Sequence, residues 1–199
     1  MDAKQVIVIS REYGSGGSHI GRQLAQQLGV PYYDRDYIDR AVESRGLAPE
    51  FLAGQERRFI NSLLFNLATG GYRNAGDQAM ADQVFLAESD AIRAVAQQGS
   101  CVIVGRCADY VLRDVCPVFS VFIHADMPVR VQRAVQEYGL DERRAETLLR
   151  ERDRARARHY EYYTDRVWGS PNNYHLCVNS GRFGQEKSIQ LIRQALELL

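Results

Sequence analysis

Short apolar runs alternate along the chain with stretches in which apolar residues recur at helical spacing. The runs at 5–10, 101–105 and 118–124 are continuous, as expected of strands that are covered on both faces of a parallel sheet. The stretch 18–28 has the spacing of an amphipathic helix and precedes Gly29, a residue that commonly ends helices. The pattern also predicts strands at 30–33 and 174–178, and helices at 34–44, 55–68, 79–97, 141–168 and 184–198.

The repeated order of strand and helix predicts an α/β fold, with five strands in a doubly wound parallel sheet. Ligands of such sheets are expected at the carboxyl ends of the strands. Two stretches interrupt the plan, a helical insertion at 46–98 and an arginine-rich region at 141–168. A length of 199 residues fits one domain with this elaboration, so we expect residues 1–199 to form a single domain.

The charge balance narrows the range of partners. The 25 basic and 25 acidic residues cancel, so no global field draws the chain to nucleic acid or to an anionic membrane, and positive charge for a ligand has to be local. No segment has the length of a transmembrane span, and the first residues enter a strand without a signal-peptide pattern, which favours the cytoplasm. The four cysteines lack a C-x-x-C pairing, so reduced thiols are favoured and no structural metal is expected.

Residues 5–21, QVIVISREYGSGGSHIG, place a glycine cluster between a strand and a helix. Such a loop can cradle phosphate, because glycines let the backbone approach the anion and free N–H groups at the helix N-terminus stabilise it. Against the pattern G-x-x-x-x-G-K-[S/T], Gly17 stands in place of the lysine, Arg11 in place of the first glycine, and Ser18 in place of the hydroxyl that binds magnesium. A turn that only permits close packing is the alternative interpretation. The candidate phosphate-binding residues are Arg11, Gly14, Ser15, Gly16, Gly17, Ser18 and His19.

Polar residues mark the carboxyl ends of the second and third predicted strands. Asp34 closes the second strand and Arg40 follows on the next helix, where the two could orient an acceptor substrate and its phosphate. The alternative is that Asp34 or Asp36 caps the helix and that Arg40 is solvated. Arg106 ends the third strand directly after a glycine, so its guanidinium could bind a phosphate bidentately; a surface ion pair is the alternative.

The segment LLRERDRARARHYEYY carries five arginines but only Glu151 and Asp153 as acids within the arginine run. An arginine face directed at a cleft would stabilise charge on a transferring phosphoryl group. A solvated, salt-bridged helix is one alternative, and nucleic-acid binding is a second that the neutral net charge makes less favoured. On a helix, Arg150, Arg154 and Arg158 share one face, and Arg152 and Arg156 share another.

The chain resembles the cytidylate kinase-like group of P-loop nucleoside monophosphate kinases, in order and over nearly its whole length. The similar segments are SREYGSGGSHIG, LGVPYYDRDYI, CVIVGRCADYVL, VFIHAD, the arginine helix and NYHLCVNSGRFG. The resemblance implies a P-loop NTPase three-layer fold with a five-stranded parallel sheet, an acceptor-binding insertion and an arginine-rich lid helix that closes over ATP. It also implies phosphorylation of CMP or dCMP by ATP, with Mg²⁺ bridging the donor phosphates.

The resemblance also assigns roles to residues by position. The loop from Arg11 to Ser18 would hold the donor phosphates, and Ser18 would contact Mg²⁺, while Asp34, Arg40 and Arg106 would bind the acceptor. Arg152 and Asp153 match the Arg-Asp pair that begins the lid of these enzymes. The residues expected in the lid are Arg150, Arg152, Asp153, Arg154 and Arg158, and those expected to act in catalysis are Arg11, Arg106, Arg154 and Arg158.

Three departures from the family pattern leave other functions open. Cys107 falls where the well-characterised enzymes carry an aspartate, the helical insertion 46–98 does not resemble their strand-containing acceptor domain, and the loop lacks its lysine. Arg11, Arg22 or a lid arginine could supply the missing cation. The alternatives to a nucleotide kinase are a catalytically impaired nucleotide- or anion-binding regulatory module, which could dimerise through the 46–98 helices, and a kinase for another small metabolite.

Overall fold

One five-stranded parallel sheet organises the part of the chain that the computed structural model describes, residues 5–44 and 75–198. The strand order is β2-β3-β1-β4-β5, and every neighbouring pair is parallel. The predicted parallel sheet is therefore confirmed. The strands are β1 (Val6–Arg11), β2 (Tyr32–Tyr33), β3 (Cys101–Val104), β4 (Val118–His124) and β5 (Leu176–Asn179).

Helices connect the strands and confirm most of the predicted pattern. The insertion helix predicted at 79–97 is present, whereas the one predicted at 55–68 lies outside the described residues. A helix between β4 and the arginine-rich segment was not predicted. The helices are α1 (Gly17–Leu28), α2 (Arg35–Ser44), α3 (Ala75–Gln98), α4 (Ala108–Val111), α5 (Met127–Tyr138), α6 (Glu142–Thr164) and α7 (Ser180–Glu197).

Local capping explains where the helix ends differ from the sequence pattern. Helix α6 ends at Thr164 because Asp165 adopts a left-handed conformation, with φ at 55°. The helix predicted at 184–198 is present, and a helical turn from Ser180 precedes it in α7, because the Asn179 side chain accepts hydrogen bonds from the N–H groups of Gly181 and Arg182. The backbone of α7 then departs from helical geometry at Gly184.

The sheet is covered by helices on both faces, which gives the three layers of an α/β fold. In β1, Val8 packs into a core with α2, α3 and α4, while Ile9 packs into a second core with α1 and α7. Strand β1 is therefore buried on both faces, which is why its sequence is a continuous apolar run. None of the described helices is both long and apolar enough to cross a membrane.

Candidate functional site

The glycine cluster forms a loop between the carboxyl end of β1 and the N-terminus of α1. Gly14 and Gly16 both have positive φ, 83° and 79°, which the absence of a Cβ permits. Helical hydrogen bonds begin with the N–H of Ile20, which donates to the carbonyl oxygen of Gly16, so the first turn of α1 leaves its N–H groups without helical partners. Ser18 and His19 in that turn are exposed. The loop therefore has the geometry of an anion cradle.

Residues of α5 and α6 hold this loop in shape. Arg130 on α5 is 4% exposed, and its Nε donates to the Tyr13 carbonyl oxygen at 2.8 Å. Its guanidinium also pairs with Glu12, at 3.3 Å, and with Asp153 of α6. Asp153 in turn accepts a hydrogen bond of 2.7 Å from the Tyr13 N–H. The sequence predicted Asp153 in a lid, and the structure shows that its carboxylate anchors the loop.

Two further contacts fix the glycine-rich half of the loop. Arg133 of α5 donates from Nη1 to the Gly14 carbonyl oxygen at 2.8 Å. The buried hydroxyl of Ser180, at the start of α7, donates to the Ser15 carbonyl oxygen at 2.5 Å. Helices that lie more than 100 residues after the loop in the sequence thus stabilise one conformation of it.

A cavity of about 610 Å³ lies at the carboxyl ends of β1 and β3 and next to α6. Of the predicted phosphate-binding residues, Arg11 lines it, and those from Gly14 to His19 do not. Seven arginines line it, and Glu151 is the one acidic side chain among its lining residues in the described part of the chain. Asp39, Glu88 and Asp153 behind the wall pair with Arg35, Arg106 and Arg156, but the arginines still outnumber these acids and Glu151 together. This local excess of positive charge in a chain of zero net charge indicates an anionic ligand. The arginines are Arg11, Arg35, Arg106, Arg152, Arg154, Arg156 and Arg158.

Arg106 is held in the cavity wall by carboxylates from two helices. Its Nη1 lies 2.5 Å from Oε1 of Glu88 on α3, and its Nη2 lies 2.6 Å from Oδ1 of Asp39 on α2. Burial acts to lower the pKa of Arg106, but the two carboxylates outweigh it and raise the pKa above its ordinary value. Arg106 therefore makes an ion pair, as the alternative interpretation predicted, but a buried pair and not a surface one.

The backbone around Arg106 adopts a left-handed turn over three consecutive residues. Gly105, Arg106 and Cys107 have φ values of 80°, 59° and 54°. For residues with a Cβ this conformation costs on the order of 1 kcal/mol or more, and such strain concentrates at functional sites. The turn aims the Arg106 side chain at Glu88 and Asp39, and the strain supports a functional assignment for this strand end.

Arg11 at the end of β1 reaches the same cavity from the side of the loop. Its Nε is buried and has no hydrogen-bond partner among the described residues. Its main-chain carbonyl accepts a hydrogen bond of 2.9 Å from Nη1 of Arg156 on α6. Burial, and after it the nearby charge of Arg156, lowers the pKa of Arg11 to about 9.

The structure does not bring the predicted acceptor residues Asp34 and Arg40 to the lining of this cavity. Oδ1 of Asp34 accepts a hydrogen bond from the Tyr37 N–H at 3.2 Å, and its Oδ2 pairs with Arg22 at 3.4 Å. Arg40 is exposed and donates to the main-chain oxygen of Asp36. The helix-capping alternative describes this arrangement, because Asp34 satisfies a free N–H in the first turn of α2.

Helix α6 contributes arginines from both of its predicted faces. Arg152, Arg154, Arg156 and Arg158 line the cavity. Arg150 does not line it, because it pairs with Glu146 on the protein surface at 2.7 Å. The predicted lid arginines are therefore corrected for this cavity, because Arg150 lies outside it and Arg156, which was not among them, lines it.

Sequence reasoning missed several residues that build the site. Burial, and after it the charges of Arg106 and Arg35, lowers the pKa of His159, which lines the cavity, to about 3. Its Nε2 is buried without a partner among the described residues. One sequence signal was available for Glu88, a charged residue on the helix face that carries the buried residues Ala91 and Ile92. Arg35, Asp39, Glu88, Arg130, Arg133 and His159 were not predicted.

The sheet order β2-β3-β1-β4-β5, with a glycine-rich loop between β1 and α1, is that of the P-loop NTPase fold and differs from the 3-2-1-4-5-6 order of dinucleotide-binding folds. Solved structures share this fold. One is an uncharacterized protein from Eubacterium ventriosum, with a TM-score of 0.74 and 23% identity over 98% of this chain and 99% of that one. Another is shikimate kinase from Acinetobacter baumannii, in complex with shikimate, with a TM-score of 0.52 and 14% identity over 98% and 93% of the two chains.

Sequence comparison gives the family within this fold. Residues 6–182 match the cytidylate kinase-like family. A cytidylate kinase of Aeropyrum pernix is 30% identical over 188 residues, which cover 93% of this chain and 95% of that protein. The chain therefore belongs to the cytidylate kinase-like family, and the resemblance noted from its motifs is confirmed.

Proposed function

We propose that this protein transfers the γ-phosphoryl group of ATP to a nucleoside monophosphate, with CMP or dCMP as the favoured acceptor. The observation that carries the proposal is the cavity at the carboxyl ends of β1 and β3, which seven arginines and one acid line. A reaction that brings a triphosphate against a monophosphate has to overcome the repulsion of their charges. The positive lining offsets that repulsion before the reaction begins.

The loop between β1 and α1 is the proposed donor site. Its N–H groups at the start of α1 would bind the phosphates of ATP, and the contacts of Arg130, Arg133 and Asp153 keep it in the binding conformation. The described residues hold no group of three or more His, Cys, Asp or Glu side chains that could bind a metal ion. If Mg²⁺ came with the donor phosphates, the exposed Ser18 would be the residue of the loop that contacts it, and the ion would neutralise phosphate charge.

Arg106 is the proposed ligand of the acceptor phosphate. Glu88 and Asp39 bind one terminal nitrogen each, so the remaining N–H donors of the guanidinium have a fixed direction. A phosphate acceptor is already an anion at neutral pH, so the reaction needs no strong general base. The arginines of α6, Arg154 and Arg158 among them, would then stabilise charge on the transferring group.

One observation favours a second function, a nucleotide-binding regulatory module without turnover. The loop has Gly17 in place of the lysine of the ordinary motif, and losing one such contact costs a few kcal/mol, or roughly a hundredfold in rate or more. Purified protein with magnesium-ATP and a panel of nucleoside monophosphates separates the two functions. ADP release that CMP or dCMP stimulates supports the kinase, and ATP binding without stimulated release by any monophosphate supports the module.

Arg106 variants test where the acceptor binds. We expect Arg106→Ala to lower kcat/KM for the acceptor by about a hundredfold or more. Arg106→Lys should lower it less, because lysine keeps the positive charge but cannot bind phosphate bidentately. Arg93→Ala is the matched control, since Arg93 is an exposed arginine on α3 that pairs with Asp90. Thermal unfolding of each variant separates loss of activity from loss of folding. Unchanged acceptor kinetics in a folded Arg106→Ala protein would remove Arg106 from the site.

A further inference from the structure

The side chain of Arg11 fills the space in which the lysine of the ordinary motif would begin. A Cβ placed on Gly17 would lie 2.5 Å from the Arg11 Cβ and 2.9 Å from its Cγ, closer than real Cβ atoms approach. Gly17 lies within α1 and does not have a positive φ, so its backbone conformation does not require glycine. The neighbouring Arg11 side chain accounts for the glycine at this position.

A second glycine makes room for the other end of the same side chain. A Cβ placed on Gly105, after β3, would overlap Nη1 of Arg11. Arg11 therefore runs from the base of the loop, past the start of α1, to the strand end that carries Arg106. This path joins the proposed donor site to the proposed acceptor site.

The surroundings of the Arg11 guanidinium suit it to bind an anion. Its Nε is buried, and no described residue accepts a hydrogen bond from it. A buried polar group without a partner is costly, and an anion beside it would remove that cost. Burial and Arg156 lower the pKa of Arg11 to about 9, so the side chain is still protonated at neutral pH.

We propose that Arg11 is the cation that replaces the loop lysine, and that it binds the phosphoryl group in transfer between donor and acceptor. Gly17 is the position that its side chain requires to be small, whereas Gly105 leaves room for the guanidinium and also has a positive φ that favours glycine. The reaction named in this inference rests on the proposed function. The location of the cation rests only on the contacts of Arg11. A lysine at position 17 is incompatible with Arg11, so the two arrangements exclude each other.

Exchanging the two positions tests this inference. We expect Arg11→Gly to lower kcat by about a hundredfold to a thousandfold, as the loss of one transition-state donor does elsewhere. Gly17→Lys alone should also be inactive, because its side chain collides with Arg11. The double variant Arg11→Gly with Gly17→Lys restores the ordinary motif, and we expect it to recover at least about tenfold in kcat over Arg11→Gly.

Arg93→Ala serves as the control, and thermal unfolding is measured for every variant. Arg11→Gly activity within about threefold of the parent would overturn the inference. So would a folded double variant that is no more active than Arg11→Gly. Since Gly17→Lys could fail for lack of folding, the decision rests on Arg11→Gly and the double variant.

Binding measurements keep this test separate from that of the proposed function. Affinities for ATP and for inorganic tripolyphosphate are measured by calorimetry in the parent protein, Arg11→Gly and the double variant. If no monophosphate is phosphorylated, the proposed function fails. The Arg11 assignment then still holds if Arg11→Gly weakens tripolyphosphate binding about tenfold or more and the double variant recovers it. Equal binding by all three proteins overturns it.

Discussion

Removing the carboxylate of Glu88 tests how much the buried cluster around Arg106 contributes to stability. The Glu88 side chain is 3% exposed and that of Arg106 is 11% exposed, so neither charge is well solvated. Loss of one partner from a buried pair costs about 3–5 kcal/mol, because the other charge stays buried and unpaired. Asp39 keeps Arg106 partly paired, at 2.6 Å, so we expect Glu88→Ala to lie at the lower end, about 3 kcal/mol.

Glu88→Gln separates the charge from the hydrogen bond. The amide oxygen can still accept from Arg106, and the amide nitrogen replaces Oε2, which has no partner among the described residues. We therefore expect a smaller loss, about 1–2 kcal/mol. Urea unfolding followed by circular dichroism gives both values.

Asp90→Ala on the same helix is the matched control for these variants. Asp90 pairs with Arg93 across one helical turn, but its side chain is 67% exposed, and such a surface pair contributes below about 1 kcal/mol. If Glu88→Ala destabilises the protein no more than Asp90→Ala does, the buried pair does not stabilise the wall formed by α3. That result would refute the reasoning from burial.

Two further predictions concern pH and backbone strain. Burial, then Arg106 and Arg35, lowers the pKa of His159 to about 3, whereas the unfolded chain titrates near about 6.5. The free energy of unfolding should therefore fall as pH drops below about 6.5, by up to about 1.4 kcal/mol per pH unit until about pH 3. Urea unfolding of His159→Gln at several pH values should lack this part of the pH dependence. An unchanged pH dependence in the variant contradicts the prediction. Gly105→Ala should lose more stability and more activity than Gly29→Ala, because both have positive φ but only Gly105 has Arg11 in the way. Equal thermal shifts in the two variants would count against the packing argument.

The sequence predicts the sheet and the loop because both depend on local patterns. Strands β1, β3 and β4 are continuous apolar runs, and the glycine cluster directly follows one of them. The partners of Arg106 could not be predicted in this way. Glu88 and Asp39 lie 18 and 67 residues before it in the chain, on helices whose packing is a tertiary property.

Helix α5 shows a local signal that the prediction overlooked. Asp126 precedes it and a proline lies in its first turn, an arrangement typical of helix starts. Missing this helix also meant missing Arg130 and Arg133, which hold the loop. The role of Gly17 could not be predicted from the sequence for a different reason, because only the folded structure shows that the Arg11 side chain occupies its space.

Asp153 has a consequence for how ligands enter the cavity. Its carboxylate binds both the Tyr13 N–H and Arg130, so helix α6 cannot lift away from the cavity without releasing the loop. The opposite wall, made by α2 and α3, joins the end of β3 through the charge pairs of Arg106. Movement of either wall to admit or release a ligand therefore has to break charged contacts, those of Asp153 on one side or those of Arg106 on the other.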